Sequence, residues 1–255
     1  MTRRILTRRQ MLLRGSGTLG ALLLAGCDRL STAPSVQRIL RGAESLTYRS
    51  QRLVLAEQPL AREFREADLS RVFRSNGTND PNNALYNSLR ADDFVNWRLA
   101  VGGLMQYPLQ LSLAQLRSLP ARTQITRHDC VEGWSAIGQW TGVPLGQVLQ
   151  RAGLLPQARY IVFHCADQLE ANQPYYESID LIDAFHPQTV LAYDLNRKPL
   201  PVANGAPLRL RVERQLGYKH AKYLMAIEAV ATLQSIRGGQ GGFWEDRGYE
   251  WYAGI

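Results

Sequence analysis

Apolar residues recur along this chain at two spacings, and the spacing separates strands from helices. Leu208, Leu210 and Val212 alternate with Arg209 and Arg211, which predicts a strand in GAPLRLRVER with an apolar face and a basic one. TQITRHDC, RYIVFHC and YLMAIEAVATL read as further strands, and DDFVNWRLAVGGL alternates toward another. TVLAYDLNRKPLP predicts two extended pieces around the turn Asn196-Arg197. The helical spacing is clearest in GVPLGQVLQRAGLLP, where Leu145, Val148, Leu149 and Ala152 form one face, Pro144 suits the first turn and Gly153 the stop. LSLAQLRSLP predicts a short helix capped by Ser112, and SIDLIDAFHP another capped by Ser178. Between them, RSNGTNDPNN is a polar loop and EGWSAIG a segment broken by glycine. Strands and helices follow no regular βαβ alternation, so the fold class is α+β with largely antiparallel sheets and short helices. No glycine-rich phosphate fingerprint opens a helix.

The N-terminus has a different pattern. Five arginines and no acid lie within residues 1–26, and they lead into the apolar run GSGTLGALLLAG. The run is shorter than the about 20 apolar residues that span a bilayer and reads as an export signal. TRRQMLL places Arg8 and Arg9 as a twin-arginine pair. Leu24-Ala25-Gly26-Cys27 resembles a bacterial lipoprotein box, with Cys27 lipidated and Asp28 favouring the inner membrane. The expected organisation is a signal over 1–26, a membrane-proximal tether over 27–46 and one domain over 47–255, on the periplasmic face of the inner membrane. The formal charge of +8 shrinks to +3 once the five arginines are set aside, because 25 basic residues then face 22 acidic ones. That weakens any case for nucleic acid.

With Cys27 taken by lipid, two cysteines remain, Cys130 and Cys165. A disulfide between them is one reading in an oxidising compartment. A zinc site is disfavoured, because His164 and Cys165 point to opposite faces of a strand. The third reading is a lone thiolate on a soft metal whose other ligands come from an organic cofactor. Such a cofactor needs cations and amides, and Asn204, Arg209, Arg211, Lys219, His220 and Lys222 fall within residues 204–222. The plain alternative for that stretch is a solvated basic face.

HDCVEGWS, WTGVPL, YIVFH, LAYDLNRKPLP, NGAPLRL, GYKHAK and GFWEDRGYEWY, in this order, resemble the bacterial periplasmic branch of the sulfite oxidase family of molybdenum enzymes. The resemblance runs from about residue 73 to the C-terminus. It implies a sulfite-oxidase-like molybdopterin-binding fold and a molybdenum-molybdopterin cofactor, with Cys130 as the metal's thiolate ligand. It also counts against the disulfide. Glu132, Trp134 and Ser135 are expected to line the pocket, with Glu132 adjusting protonation near the metal. Asn76, Asn204, Arg209, His220, Ala221 and Lys222 match cofactor-holding positions, and Cys165 is a contact beside the pterin. Tyr175 and Glu177 are candidates to face a small-molecule substrate. No CxxCH motif occurs, so electrons are expected to pass through a separate haem protein or cytochrome. The expected chemistry is two-electron oxygen-atom transfer, leaning to sulfoxide reduction. Sulfite oxidation and a non-catalytic binding lipoprotein are the alternatives.

Overall fold

The computed structural model describes residues 33–54, 59–170 and 173–255. The expected export signal and Cys27 lie outside the described residues. The chain divides into two units, one ending at Glu57 and one spanning Gln58–Ile255. The first contains a helix, α1 (Pro34–Val54), which starts within the stretch read as a tether and runs past residue 46. Pro34 suits its first turn, where a backbone N–H is unpaired in any case. Among the described residues, no helix is long and apolar enough to cross a membrane.

The second unit is an α+β domain of two five-stranded sheets. One sheet contains β1 (Arg98–Gly103), β2 (Leu109–Ser112), β5 (Tyr160–Glu170), β6 (Gln173–Asp180) and β10 (Leu224–Val230), in the order β2-β1-β10-β5-β6. The other has β3 (Arg122–Cys130), β4 (Trp134–Pro144), β7 (Val190–Leu195) and β8 (Lys198–Pro199) in order, and β9 (Arg209–Arg211) also pairs with β7. Among the described strands β1 and β10 run parallel, and the other pairs are antiparallel. The helices of this unit are α2 (Ala84–Ala91), α3 (Leu113–Arg117), α4 (Leu145–Ala152) and α5 (Leu181–Ala184). One apolar core joins them, with Trp97, Leu145, Leu149, Phe163, Ile179, Leu191, Leu210 and Leu224 all fully enclosed.

Most predicted elements stand where the spacing put them. Ser112 caps α3 by accepting from Gln115 N at 3.1 Å. Asn196 and Arg197 take the positive φ values of a tight hairpin turn, 52° and 64°.

Four expectations need correcting. EGWSAIG breaks the chain only at Glu132-Gly133, the turn between β3 and β4; from Trp134 it is strand, and β4 runs on to Pro144. Within β4 glycine marks close approach instead: a Cβ on Gly138 would run into the Phe73 ring, and one on Gly142, further along the strand, into the Leu191 carbonyl of β7. Pro144 ends β4 and precedes α4 rather than occupying its first turn. Asp180, not Ser178, caps α5, accepting from Asp183 N at 2.8 Å; Ser178 lies within β6. Finally, the basic face of β9 is not solvated. Arg209 and Arg211 are as enclosed as the leucine between them, because β9 has protein on both faces.

Candidate functional site

Cys130 is the last residue of β3, and the turn to β4 closes with Gly133 at φ 83° and its N–H on the Cys130 carbonyl at 3.0 Å. The thiol is therefore held at a hairpin tip. It is free and buried, and burial pushes its pKa up, opposed by the backbone N–H groups of Glu132 and Val131. A cavity of about 160 Å³ opens beside it. Asn76, Thr78, Asp167, His220 and Lys222 form the polar part of its lining, and Glu132 joins them. Val131, Leu169, Tyr175, Tyr218, Trp244 and Tyr249 supply an apolar and aromatic part.

Lys222 organises the polar part. Its ammonium reaches Asn76 O at 2.7 Å, Ala203 O at 3.1 Å, Ser75 Oγ at 3.2 Å and also the Thr78 carbonyl, so it ties loop 75–78 to the site. Burial, then the nearby Arg209, pull its pKa down to about 7. Arg209 donates to Asn204 O at 2.9 Å and His220 O at 3.3 Å, lies over the Trp140 ring, and is lowered to about 9 by burial and by Arg211. His220 accepts from Val212 N at Nδ1 and donates from Nε2 to Gln215 O at 3.0 Å, which fixes a neutral ring. Burial, then Arg211, depress its pKa in agreement with that tautomer. Asp167 is also buried, and burial lifts its carboxyl to about 6.

Several buried polar atoms here have no hydrogen-bond partner: Asn76 Oδ1, Asp167 Oδ1, Asn204 Nδ2 and Arg209 Nε. Orphaned atoms of this kind are costly and call for a ligand. Amide, guanidinium and ammonium groups beside a free thiol suit a metal held by an anionic organic group through one protein sulfur. The residues fit a molybdenum–pterin cofactor.

Of the predicted residues, Asn76, Cys130, Glu132, His220 and Lys222 line the cavity together, as does Tyr175. Asn204 and Arg209 stand behind them, joined through the Asn204 carbonyl. Trp134 supports the wall rather than forming it, donating from Nε1 to Glu132 Oε2 at 3.0 Å with its ring against His128. Ser135 turns away and donates to Asp129 Oδ1. Ala221 is enclosed in the core, where its carbonyl accepts from Leu210 N at 2.8 Å. Cys165 is buried and free, so the two thiols form no disulfide. Burial pushes the Cys165 thiol well up. Among the described residues no three His, Cys, Asp or Glu side chains gather as a metal cluster.

Glu177 and Lys219 do not reach the cavity. Lys219 pairs with both Glu177 and Glu245, all three fully buried. Arg211 pairs with Glu213 at 2.6 Å and Arg214 with Asp183 at 2.6 Å. Sequence reasoning missed Asp167, Trp244, Tyr249 and a supporting role for His128, whose Nδ1 accepts from Arg211 at 2.9 Å. A Cβ on Gly217 would lie 2.5 Å from His128 Nε2, so only glycine lets this turn pass the imidazole. Asp167 was recoverable, since it shares a strand face with Cys165 two residues earlier.

Residues 86–235 match the oxidoreductase molybdopterin binding domain. The chain belongs to this family, that of the sulfite oxidases. It is a molybdopterin-dependent oxidoreductase. It is 37 % identical over 252 residues to a protein of Azospira oryzae provisionally named protein-methionine-sulfoxide reductase subunit YedZ1, covering 98 % of this chain and 88 % of that one. It is 41 % identical over 147 residues to the protein-methionine-sulfoxide reductase catalytic subunit MsrP of Xanthomonas axonopodis, across 54 % of this chain and 46 % of that relative. The crystal structure of the sulfane dehydrogenase SoxCD from Paracoccus pantotrophus superposes with a TM-score of 0.50 at 21 % identity, over 55 % of this chain and 40 % of that one, and so shares the fold.

Proposed function

We propose that this oxidoreductase reduces sulfoxides, with methionine sulfoxide in proteins as the substrate class. The observation that carries the reading is the charge of the cavity: its described lining has one cation, Lys222, against two carboxylates, Glu132 and Asp167. Lys222 already faces four oxygens. A site for sulfite needs converging cations to hold a small dianion, whereas a neutral sulfoxide needs none. The names of the relatives, given above, point the same way.

The molybdenum–pterin group supplies a two-electron centre for oxygen-atom transfer. Cys130 offers the thiolate that fixes the metal. Asn204, Arg209 and Lys222 provide the amide and cationic groups for the anionic part of the cofactor, and Asn76 Oδ1 provides an acceptor. Glu132, exposed at the mouth with Oε2 held by Trp134, presents Oε1 for proton exchange with solvent. His220 stays neutral and shapes the turn that carries Ala221 and Lys222.

Electrons arrive, in this reading, from a separate haem protein or cytochrome. The arginine pair and Cys27 support export by the twin-arginine route and lipid anchoring at the periplasmic face of the inner membrane. A Cys27→Ser variant then moves from the membrane to the soluble periplasmic fraction. The deciding assay offers the holoenzyme reduced viologen with a methionine-sulfoxide peptide, and separately sulfite with an oxidised cytochrome. Turnover in the first alone is expected; turnover in the second alone reverses the proposal.

A further inference from the structure

The cavity has a second face that the cofactor-holding residues do not explain. Trp244 and Tyr249 stack on each other with ring centroids 5.3 Å apart and planes 28° from parallel. Tyr218 meets Tyr249 edge-on at 5.3 Å, and Leu169 and Val131 complete the apolar lining. This face is rigid. Tyr249 N donates to Trp244 O at 3.0 Å, Tyr218 Oη to Glu250 O at 2.6 Å, and Leu216 N to Ala253 O at 2.9 Å. The C-terminal segment is thereby fastened to the turn that presents His220 and Lys222. It is also open, since Tyr249 and Val131 keep 41 % and 45 % of their surface exposed next to a buried thiol.

We propose that Trp244 and Tyr249 form the receiving wall for the methyl–sulfur end of a polypeptide-borne methionine sulfoxide, and so select a neutral alkyl sulfoxide over a sulfur oxyanion. The proposal rests on the sulfoxide-reductase reading above. Aromatic faces carry negative potential and repel an oxyanion, while they attract polarisable sulfur and methyl groups. Glu132 and Asp167 reinforce that exclusion, and the ammonium of Lys222 is turned onto loop 75–78. An exposed rim admits a side chain still attached to its backbone.

The test uses full-length holoenzyme as wild type, Trp244→Ala, Trp244→Phe and Tyr249→Ala, with reduced viologen, a methionine-sulfoxide peptide and dimethyl sulfoxide. Trp244→Ala and Tyr249→Ala are expected to raise KM for the peptide about tenfold while kcat stays within about twofold, with a smaller change for dimethyl sulfoxide. Trp244→Phe restores most of the loss. Molybdenum per chain stays at the wild-type level, and peptide binding perturbs intrinsic fluorescence in wild type but much less in Trp244→Ala. If wild type reduces the peptide and the variants keep its KM, the wall is overturned and the reductase reading stands. If Trp244→Phe and Tyr249→Ala lose molybdenum, the rings hold cofactor rather than substrate, and the proposal falls. A wild type that oxidises sulfite and reduces no sulfoxide removes the reductase reading, and the wall with it.

Discussion

Residues 204–222 contribute two sets of buried polar groups that look alike in sequence and differ in their partners. Arg211, Arg214 and Lys219 each meet carboxylates, from Glu213, Asp183 and the Glu177–Glu245 pair. Arg209, His220 and Lys222 bond to backbone carbonyls, a backbone amide and one hydroxyl, and Asn204 Nδ2 has no partner. Burial does not separate the sets, since Arg209 and Arg211 are equally enclosed. Partner charge does. A cation neutralised by its own carboxylate has little to offer an incoming anion, whereas one held by neutral oxygens keeps its charge for a ligand. The first set is structural, and the second is the set we propose for the cofactor.

Lys219→Met should break the structural set most severely. It leaves Glu177 and Glu245 buried without their cation, and the expected loss is about 3–5 kcal/mol in urea unfolding of the apoprotein. Folded chains should bind molybdenum as before; selective loss of molybdenum at normal stability would erase the distinction between the sets. Cys130→Ser acts oppositely. Sulfoxide turnover should fall at least about a hundredfold, while apoprotein stability changes by less than about 1 kcal/mol.

Asp167 sharpens the contrast through pH. Its folded pKa of about 6 lies above the ordinary carboxylate value, so the stability it lends is present in acid and lost as pH rises through about 6. Lys222 nearby opposes that rise without cancelling it, because burial is the larger influence on the carboxyl. Asp167→Asn should therefore stabilise the apoprotein at pH 8 by on the order of 2 kcal/mol, with the gain vanishing near pH 4. Unfolding curves at the two pH values check it, and an equal gain at both would refute the titration. The smallest effect belongs to Arg209→Lys, where loss of the planar fork should speed molybdenum release on dialysis about tenfold at little cost to the fold.

The elements legible in the sequence were those with local causes. Alternation announced β5, β9 and β10, the helical stripe announced α4, and Asn196-Arg197 announced the β7–β8 hairpin. Cys130 was identifiable because the HDCVEGWS motif carries a family resemblance along with its cysteine. Alternation failed where burial is two-sided: β9 looked half-solvated until the structure enclosed both of its arginines. Gly138 read as a break because the side chains it makes room for, Phe73 and Leu195 of β7, lie far away along the chain.

Sequence by itself determined the fold class, the thiol at the centre and the list of cations available to a cofactor. Tertiary structure decided which of those cations are free. The reason is distance along the chain: Glu177, Asp183 and Glu245 neutralise groups 26–42 residues away, and only the paired sheets bring them there. Trp244 and Tyr249 became part of the site in the same way, because the C-terminal segment folds back against the Gly217–Lys222 turn. Spacing fixes which side chains share a strand face, but opposite charges and aromatic walls are matched in three dimensions.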